Sequence, residues 1–572
     1  MRKTKRKLRM KNVVIILLML FILIGSFCFY SIYKNKNKYD EYYLANNIKT
    51  VDVYNENKEL VTTVSRGVMV RAFMDKTLDG DYVKITLNDN TYYVLKQNLA
   101  KTKDLCVQEK KVYVRTAANL KETTDGTKLL SLANKGDELE VIGYDVLNED
   151  GSVNMYKVKT TKQEEGYYYQ EYVLDNLKEA SAPYDEDGIY KIHAKVGNTL
   201  GGGSAKTLDY YPVIKPKFAD NQMPDNVYAL YLNGTKSVIS NVDAYIEYAK
   251  TTKINAFVVD IKDSGVSAYA SLVMKEYSPT SYKYAQNSFD NYKNAIKKIK
   301  EAGFYVIGRI TTFKDSYYIT DNKDKAISNA SGSPLYHQSS YWPSAFNRDV
   351  WEYNVLLARE AVMEMGFNEI QFDYVRFPDG LMSKEKSGSV NYKNVYNETK
   401  AEAIQRFLMY ATKELHALNV YVSCDVFGES SSGYVTAYGQ YWPALSNVVD
   451  AISAMPYTDH FDRTNSKYWT NPGWTMSNWA KTAYKRQQEI KTPAIARTWI
   501  TAYNTPYWNP TVTYNGEKLI EQIEALYKEG LNGGYMTWNN SSNLTKYKSQ
   551  KSAFLKEYRW KQLHYKKLLT KF

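Results

Sequence analysis

The chain has 572 residues, of which 44% are hydrophobic and 24% charged; this composition excludes disorder throughout, and the length points to about two to four domains rather than one core. A net charge of +13 would suggest a nucleic-acid partner if it were spread evenly, but residues 1–11 carry +7 and residues 546–572 carry +8, which leaves the remainder near −2. So neutral a middle offers no field for a phosphate backbone, and no nucleic-acid partner is expected.

Only Cys28, Cys106 and Cys424 occur, too few and too scattered for a disulfide framework. Residues 13–33 hold no charged side chain and are long enough to cross about 30 Å of hydrocarbon as a helix. They predict a transmembrane anchor at 12–33, with the basic segment 1–11 held in the cytoplasm and the bulk of the chain outside. The expected location is therefore the cell membrane, crossed once. A cleaved signal peptide shares the basic start, but this apolar run exceeds the usual signal core and no small-x-small site follows it.

From 48 to 100, short β-rich runs alternate with turn signals, as in TVDVYNENKELVTTV and DGDYVKITLNDNTYYVLKQNLA. The stretch 106–175 repeats that layout with Val114-Arg115, Lys135-Gly136-Asp137, Tyr156-Lys157-Val158 and a closing Gly166 to Leu174. In this order the second unit resembles bacterial SH3-like domains, and the first does so more faintly. The resemblance implies binding to cell-wall peptide or glycan, although such modules also serve as spacers. Residues 176–224, with Gly201 to Ser204 and Pro212, Pro216 and Pro224, read as a linker. The glycine run lacks a following G-K-[ST] and is no phosphate loop. No cofactor is expected.

After Asp225 the pattern changes to apolar runs of five to eight residues alternating with amphipathic stretches. The runs lie at 228–234, 256–263, 304–313, 369–378, 420–428, 450–458, 494–502 and 533–539. Short strands buried on both faces and separated by helices predict a parallel sheet, and eight such units over 225–545 fit a (β/α)₈ TIM barrel. The whole chain then reads as an α/β protein with two small all-β modules before the barrel. A doubly wound open sheet is the alternative, but no Gly-rich dinucleotide turn follows the first run. The basic tail 546–572 suits a helix packed on the barrel or a contact with anionic envelope polymer.

Barrel chemistry gathers where strands end, and acidic residues fall there: Asp260 and Asp263 in the second run, Asp373 in the fourth, Asp425 and Glu429 around the end of the fifth, Asp459 after the sixth. Alternation puts Gln371 and Asp373 on one face and Phe372 and Tyr374 on the other, while Asp425 shares a face with Ser423. Glycosidic cleavage needs one carboxylate at the anomeric carbon and another to protonate the leaving oxygen. Neighbouring fourth and fifth strands can supply the short separation of a retaining mechanism. Asp260 is either a substrate contact or a residue orienting Lys262 or Arg309. Arg309 is placed to keep Asp373 ionised or to form a structural ion pair, and Arg376 to fix the fourth-strand loop. His460, in YTDHFD, reads as part of a surface loop, and no metal site is expected.

Together FVVDIKD, the YVIGRIT run with FKD, WEYNVLLAREA, GFNEIQFDYVRFP, SCDVFG and AMPY resemble a family of bacterial barrel domains regarded as glycoside hydrolases. The resemblance implies a (β/α)₈ fold distantly like α-amylase and α-galactosidase barrels. It also implies Asp373 as nucleophile, with Asp425, Glu429 and Asp459 as acid/base candidates in that order. Aromatic groups recur at the predicted mouth: Tyr341-Trp342-Pro343, Tyr441-Trp442-Pro443, Tyr507-Trp508, Tyr457 and Trp538. Flat rings there suit the C–H faces of an oligosaccharide. The expected function is a membrane-anchored glycosidase acting on an envelope or extracellular polysaccharide. The alternatives are a non-catalytic glycan-binding scaffold and a wall-assembly protein working through its SH3-like pair.

Overall fold

A computed structural model describes residues 14–26, 38–197 and 200–558. They fall into two compact units, one drawn from 1–115 and 135–181, the other from 116–134 and 182–572. Residues 14–26 are helical, and the apolar side chains from Val14 to Ile24 are 49–82% exposed. Among the described residues no helix is long and apolar enough to cross a membrane. The basic segment 1–11 and the two ends of the expected anchor, 12–13 and 27–33, lie outside the described residues.

The N-terminal region is β-rich. Seven antiparallel strands from Asp40–Leu44 to Leu99–Ala100 form one sheet, and seven more from Lys111–Val114 to Val173–Leu174 form another. Numbered within each sheet, both run in the spatial order 3-2-6-5-4-1-7. The repeat read from the sequence is thus a repeat of topology. The first sheet closes on Leu44, Val51, Val53, Val70, Val83, Ile85 and Val94, the alternate positions that a half-buried strand turns inward.

The C-terminal region is a nearly closed parallel barrel. Its strands are β1 Val227–Leu232, β2 Ala256–Asp263, β3 Tyr305–Thr311, β4 Glu369–Asp373, β5 Tyr421–Phe427, β6 Ala451–Met455, β7 in two pieces, Ile495–Ala496 and Thr498–Thr501, and β8 Gly534–Trp538. Each pairs in parallel with the next, and β8 pairs with β1. Arg497 interrupts β7, so that its first piece follows β6 and its second follows β8. All residues of β1 and β3 are buried, which explains why β1 reads as an unbroken apolar run and β3 as one interrupted only by Gly308, Arg309 and Thr311.

A helix follows each of the first seven strands: α1 Val242–Lys250, α2 Phe289–Glu301, α3 Arg348–Met365, α4 Lys400–His416, α5 Trp442–Ser446, α6 Pro472–Gln487 and α7 Gly516–Lys528. Local chemistry sets their ends. The Asn347 side chain accepts from the N–H groups of Asp349 and Val350 to start α3, and Gly366, at φ +75°, ends it. Thr399 and Glu402 form a reciprocal capping box at the start of α4.

The barrel interior is layered. At the N-terminal floor, buried Glu369 accepts from Arg497 Nη1 at 2.7 Å, Tyr305 Oη at 3.0 Å and Ser423 Oγ at 2.5 Å. Above it Ala229, Val258, Ile307 and Met536 pack together, with Gln371 Nε2 donating to Ser453 Oγ at 3.4 Å. The next inward positions form the mouth.

The stretch 176–224, expected to be a linker, contributes packed structure. Ile189, Ala205, Leu208 and Tyr210 are buried with Ala401, Val435, Tyr441 and Ile490, because apolar residues spaced among its turn signals outweigh those signals. At the other end, Leu544–Ser549 and Lys551–Leu555 are short helices with Tyr547, Ala553 and Phe554 buried; residues 559–572 lie outside the described residues.

Barrel closure gives one test. Gly534 starts β8 at φ +105°, and a Cβ there would sit 2.0 Å from the Val227 carbonyl oxygen of β1. Gly534→Ala is expected to lower stability by more than about 1 kcal/mol, read as a lower urea midpoint for loss of barrel structure.

Candidate active site

Four adjacent strands deliver one buried charged group each to the barrel mouth, and β2 adds the exposed Asp263, 3.7 Å from Arg309 Nη1. Asp260 on β2 and Arg309 on β3 are register partners, and Asp373 ends β4 opposite Thr311, two residues beyond Arg309. Asp425 lies on β5. Arg309 is 2% exposed and binds them jointly. Its Nη1 donates to Asp260 Oδ1 at 2.7 Å, and its Nε and Nη2 donate to Asp373 Oδ2 at 3.0 and 2.6 Å. The same Nε lies 3.9 Å from Asp425 Oδ2.

The two carboxyl groups of interest are therefore close. Asp373 Oδ2 and Asp425 Oδ2 stand 3.0 and 3.9 Å from one nitrogen, so their separation is at most 3.0 plus 3.9, or 6.9 Å. This bound includes the retaining spacing of about 5–5.5 Å and reaches only the lower edge of the inverting range of about 6.5–9.5 Å.

Their surroundings differ. Asp373 takes the two Arg309 bonds on Oδ2 and the Tyr374 N–H on Oδ1 at 2.6 Å, a donor set suited to an anion. Asp425 accepts from Trp499 Nε1 at 2.7 Å on Oδ1, while its buried Oδ2 has no hydrogen-bond partner among the described residues. Burial, and then the charge of Asp373, push the Asp425 carboxyl well above the usual carboxylate range. Asp260 also accepts from the Tyr231 hydroxyl. Burial raises its pKa to about 7 against the pull of Arg309.

Asp373, Asp425 and Arg309 line a cavity of about 210 Å³ with Arg376, Tyr457, Trp499 and Trp538. Beside it lies a wider cavity of about 710 Å³, and Phe427, Met455 and His460 line both. Glu429 and Asp459 belong to the wider one. Glu429 accepts from Tyr434 Oη at 2.9 Å and Tyr438 Oη at 2.7 Å, and Asp459 accepts from the Tyr503 hydroxyl. Neither is bonded to the Arg309 cluster. Among the described residues no group of three or more His, Cys, Asp or Glu side chains is placed to hold a metal ion.

Other candidate residues lie elsewhere. A register shift between Asp260 and Lys262 breaks the alternation of β2. Lys262 is thereby turned to Asp315 Oδ2 at 2.8 Å and Asn354 Oδ1 at 3.0 Å rather than into the mouth. Asp260 thus holds Arg309, not Lys262. Trp442 is fully buried in α5, its Nε1 donating to Gln487 at 2.9 Å, and Trp342 is 1% exposed with its Nε1 on the His337 carbonyl. These two rings line neither cavity.

Tyr374 also departs from expectation. Its φ is +49°, so the backbone turns over immediately after Asp373 and brings the ring to the small cavity. Phe372 keeps the outward place that alternation assigns it, packing on Phe407 of α4 at 5.3 Å. Trp499 was not among the expected site residues. Alternation along AIARTWITA puts it on the face of Arg497 and Thr501, and that was the available signal.

The Arg309 cluster sets a stability test. Arg309→Met leaves three buried carboxyl groups facing one another and is expected to cost about 3–5 kcal/mol. The pKa values of Asp260 and Asp425, already raised by burial, then rise further above the unfolded values, so the deficit is largest where these groups would be ionised. It shrinks as pH falls toward the ordinary carboxylate range. Urea unfolding at pH 5 and pH 8 checks this; an equal deficit at both would contradict it.

No curated protein matches the chain. Similar solved structures include a hypothetical protein from Ruminiclostridium thermocellum ATCC 27405, 32% identical over 34% of this chain and 97% of that one, with a TM-score of 0.29. The PgaB (BpsB) glycoside hydrolase domain from Bordetella bronchiseptica is 13% identical over 58% of this chain and 99% of its own, with a TM-score of 0.42. The maltogenic α-amylase AmyB from Thermotoga neapolitana is 11% identical over 59% of this chain and 70% of its own, with a TM-score of 0.36. The matched family region, residues 229–544, runs from within β1 to the helix after β8, and the chain belongs to the family described as "Putative glycosyl hydrolase domain".

Proposed function

We propose that this chain is a retaining glycosidase held on the outer face of a membrane and acting on an envelope or extracellular polysaccharide. The observation that carries the reading is the pair Asp373 and Asp425, at most 6.9 Å apart through their common neighbour Arg309, at the mouth of a barrel whose family is described as glycosyl hydrolase.

Asp373 attacks the anomeric carbon as the glycosidic bond breaks, and the proton on Asp425 passes to the leaving oxygen. A water then replaces the leaving group, gives its proton to Asp425 and releases the sugar from Asp373. Two carboxyl groups in one cavity take opposite roles because Asp373 is fed by three donors while Asp425 is buried with one. Trp499 orients Asp425, and Trp538 and Tyr457 offer ring surface to the sugar. The exposed apolar helix at 14–26 and the basic segment before it support the anchor. The duplicated β modules, resembling SH3-like domains, suit a hold on wall peptide or glycan.

Full-length protein in detergent is expected to release reducing ends from one or more envelope polysaccharides, and Asp373→Asn to abolish the release. Unchanged release in that variant would remove the assignment, and saturable binding without turnover in the wild type would favour a glycan-binding scaffold.

Asp425→Ala is expected to slow cleavage of an unactivated glycan by about 10²–10⁴-fold, and far less with a dinitrophenol leaving group that needs no proton. Since activity requires Asp425 protonated and its pKa is raised, wild-type kcat/KM falls only as pH rises through that raised value. Asp425→Ala should lack this limb, and a pH profile on the activated substrate compares the two.

A further inference from the structure

Arg376 is an unusual resident of the small cavity. It is 6% exposed, yet no carboxylate among the described residues lies within ion-pair distance of it. Its guanidinium is ringed instead by Phe427 at 4.5 Å, Trp342 at 5.0 Å, Tyr374 at 5.1 Å and Tyr438 at 5.7 Å. Nη1 donates to the Phe377 carbonyl at 3.0 Å, and no described residue accepts from Nε or Nη2. Asp373 and Asp379 act on it only from longer range.

A buried cation without a counter-ion is costly, and ring faces offset only part of that cost. The Nε–Nη2 edge is also the side of a guanidinium that grips a compact oxyanion with two parallel bonds. A second cation stands nearby. Lys314, three residues beyond β3 and half-buried, lies 4.9 Å over the same Tyr374 ring and has no ion-pair partner among the described residues. Arg309, by contrast, bonds Asp260 and Asp373 and lies 3.7 Å from Asp263 and 3.9 Å from Asp425. There are therefore two cations here that are not ion-paired to the carboxylate cluster, Arg376 lining the cavity and Lys314 over Tyr374, a ring of its wall.

We propose that Arg376, assisted by Lys314, forms a subsite for a negatively charged substituent, so that the sugar bound beside Asp373 carries a carboxylate, sulfate or phosphate. This inference rests on the glycosidase reading and narrows its substrate to an acidic glycan. Arg376 binds the oxyanion through its Nε–Nη2 edge, Lys314 adds charge from the rim, and the rings around Arg376 exclude water from the pair.

The test is calorimetric titration of the full-length protein with D-glucuronate, glucose 6-sulfate, glucose 6-phosphate and D-glucose. At least one acidic sugar is expected to bind at least about tenfold more tightly than glucose. Which one does so identifies the oxyanion. Arg376→Met should erase the preference and Lys314→Met should reduce it, whereas Asp373→Asn should retain it.

Equal affinity for all four sugars, including no detectable binding of any, overturns the proposal, as does an undiminished preference in a folded Arg376→Met protein. Should that variant not fold, the wild-type comparison and Lys314→Met decide. The two readings fail separately: an acid preference without hydrolysis removes only the enzyme, and hydrolysis without an acid preference removes only the subsite.

Discussion

A shortage of positive charge within bonding reach organises the carboxyl cluster at the barrel mouth. Three buried carboxyl groups, Asp260, Asp373 and Asp425, converge on the single buried guanidinium of Arg309, with the exposed Asp263 3.7 Å from it. One cation cannot neutralise three anions in a medium that penalises each of them. Protons must make up the difference, and geometry decides where they stay. Asp373 takes two of the Arg309 bonds, Asp260 takes one, and Asp425 only faces the guanidinium at 3.9 Å. Burial pushes Asp425 and Asp260 upward, the charge of Asp373 adds to the rise at Asp425, and Arg309 pulls against both. The carboxyl group that takes most of the Arg309 bonds thus stands beside one that burial pushes upward.

The barrel keeps this cluster apart from a second buried charge. Glu369 on the floor shares β4 with Asp373 but is satisfied by Arg497, Tyr305 and Ser423. Gln371 and the apolar layer around Met536 stand between the two ends. The interruption of β7 belongs to this arrangement. Arg497 donates through its backbone to the Ile452 carbonyl and through its side chain to Glu369, so the break in pairing coincides with the residue that neutralises the floor.

Much of the barrel was legible because burial on both faces writes strands as largely apolar runs, and each of the eight expected runs matches a barrel strand, the first of which starts one residue earlier, at Val227. Asp373 and Asp425 were legible for the opposite reason, since an acid inside such a run is conspicuous. Lys262 was not, because a one-residue register shift leaves no mark on apolar periodicity. Trp442 lies away from both cavities, which was not legible because an aromatic residue after a strand reads alike whether it lines a cavity or, as Trp442 does on Gln487, packs beneath one. The packed part of 176–224 was hidden by its glycines and prolines, while the apolar residues that dock it are thinly spaced.

The backbone of Tyr374 shows what the mouth sacrifices. A bulky residue in the left-handed region costs roughly 1–3 kcal/mol, and glycine would remove that penalty. Glycine would also remove the aromatic face that Lys314 and Arg376 share and a wall of the small cavity. This turn holds a small store of conformational energy, offset in part by ring contacts with Trp342, Lys314 and Arg376, and presents an aromatic surface one residue away from Asp373.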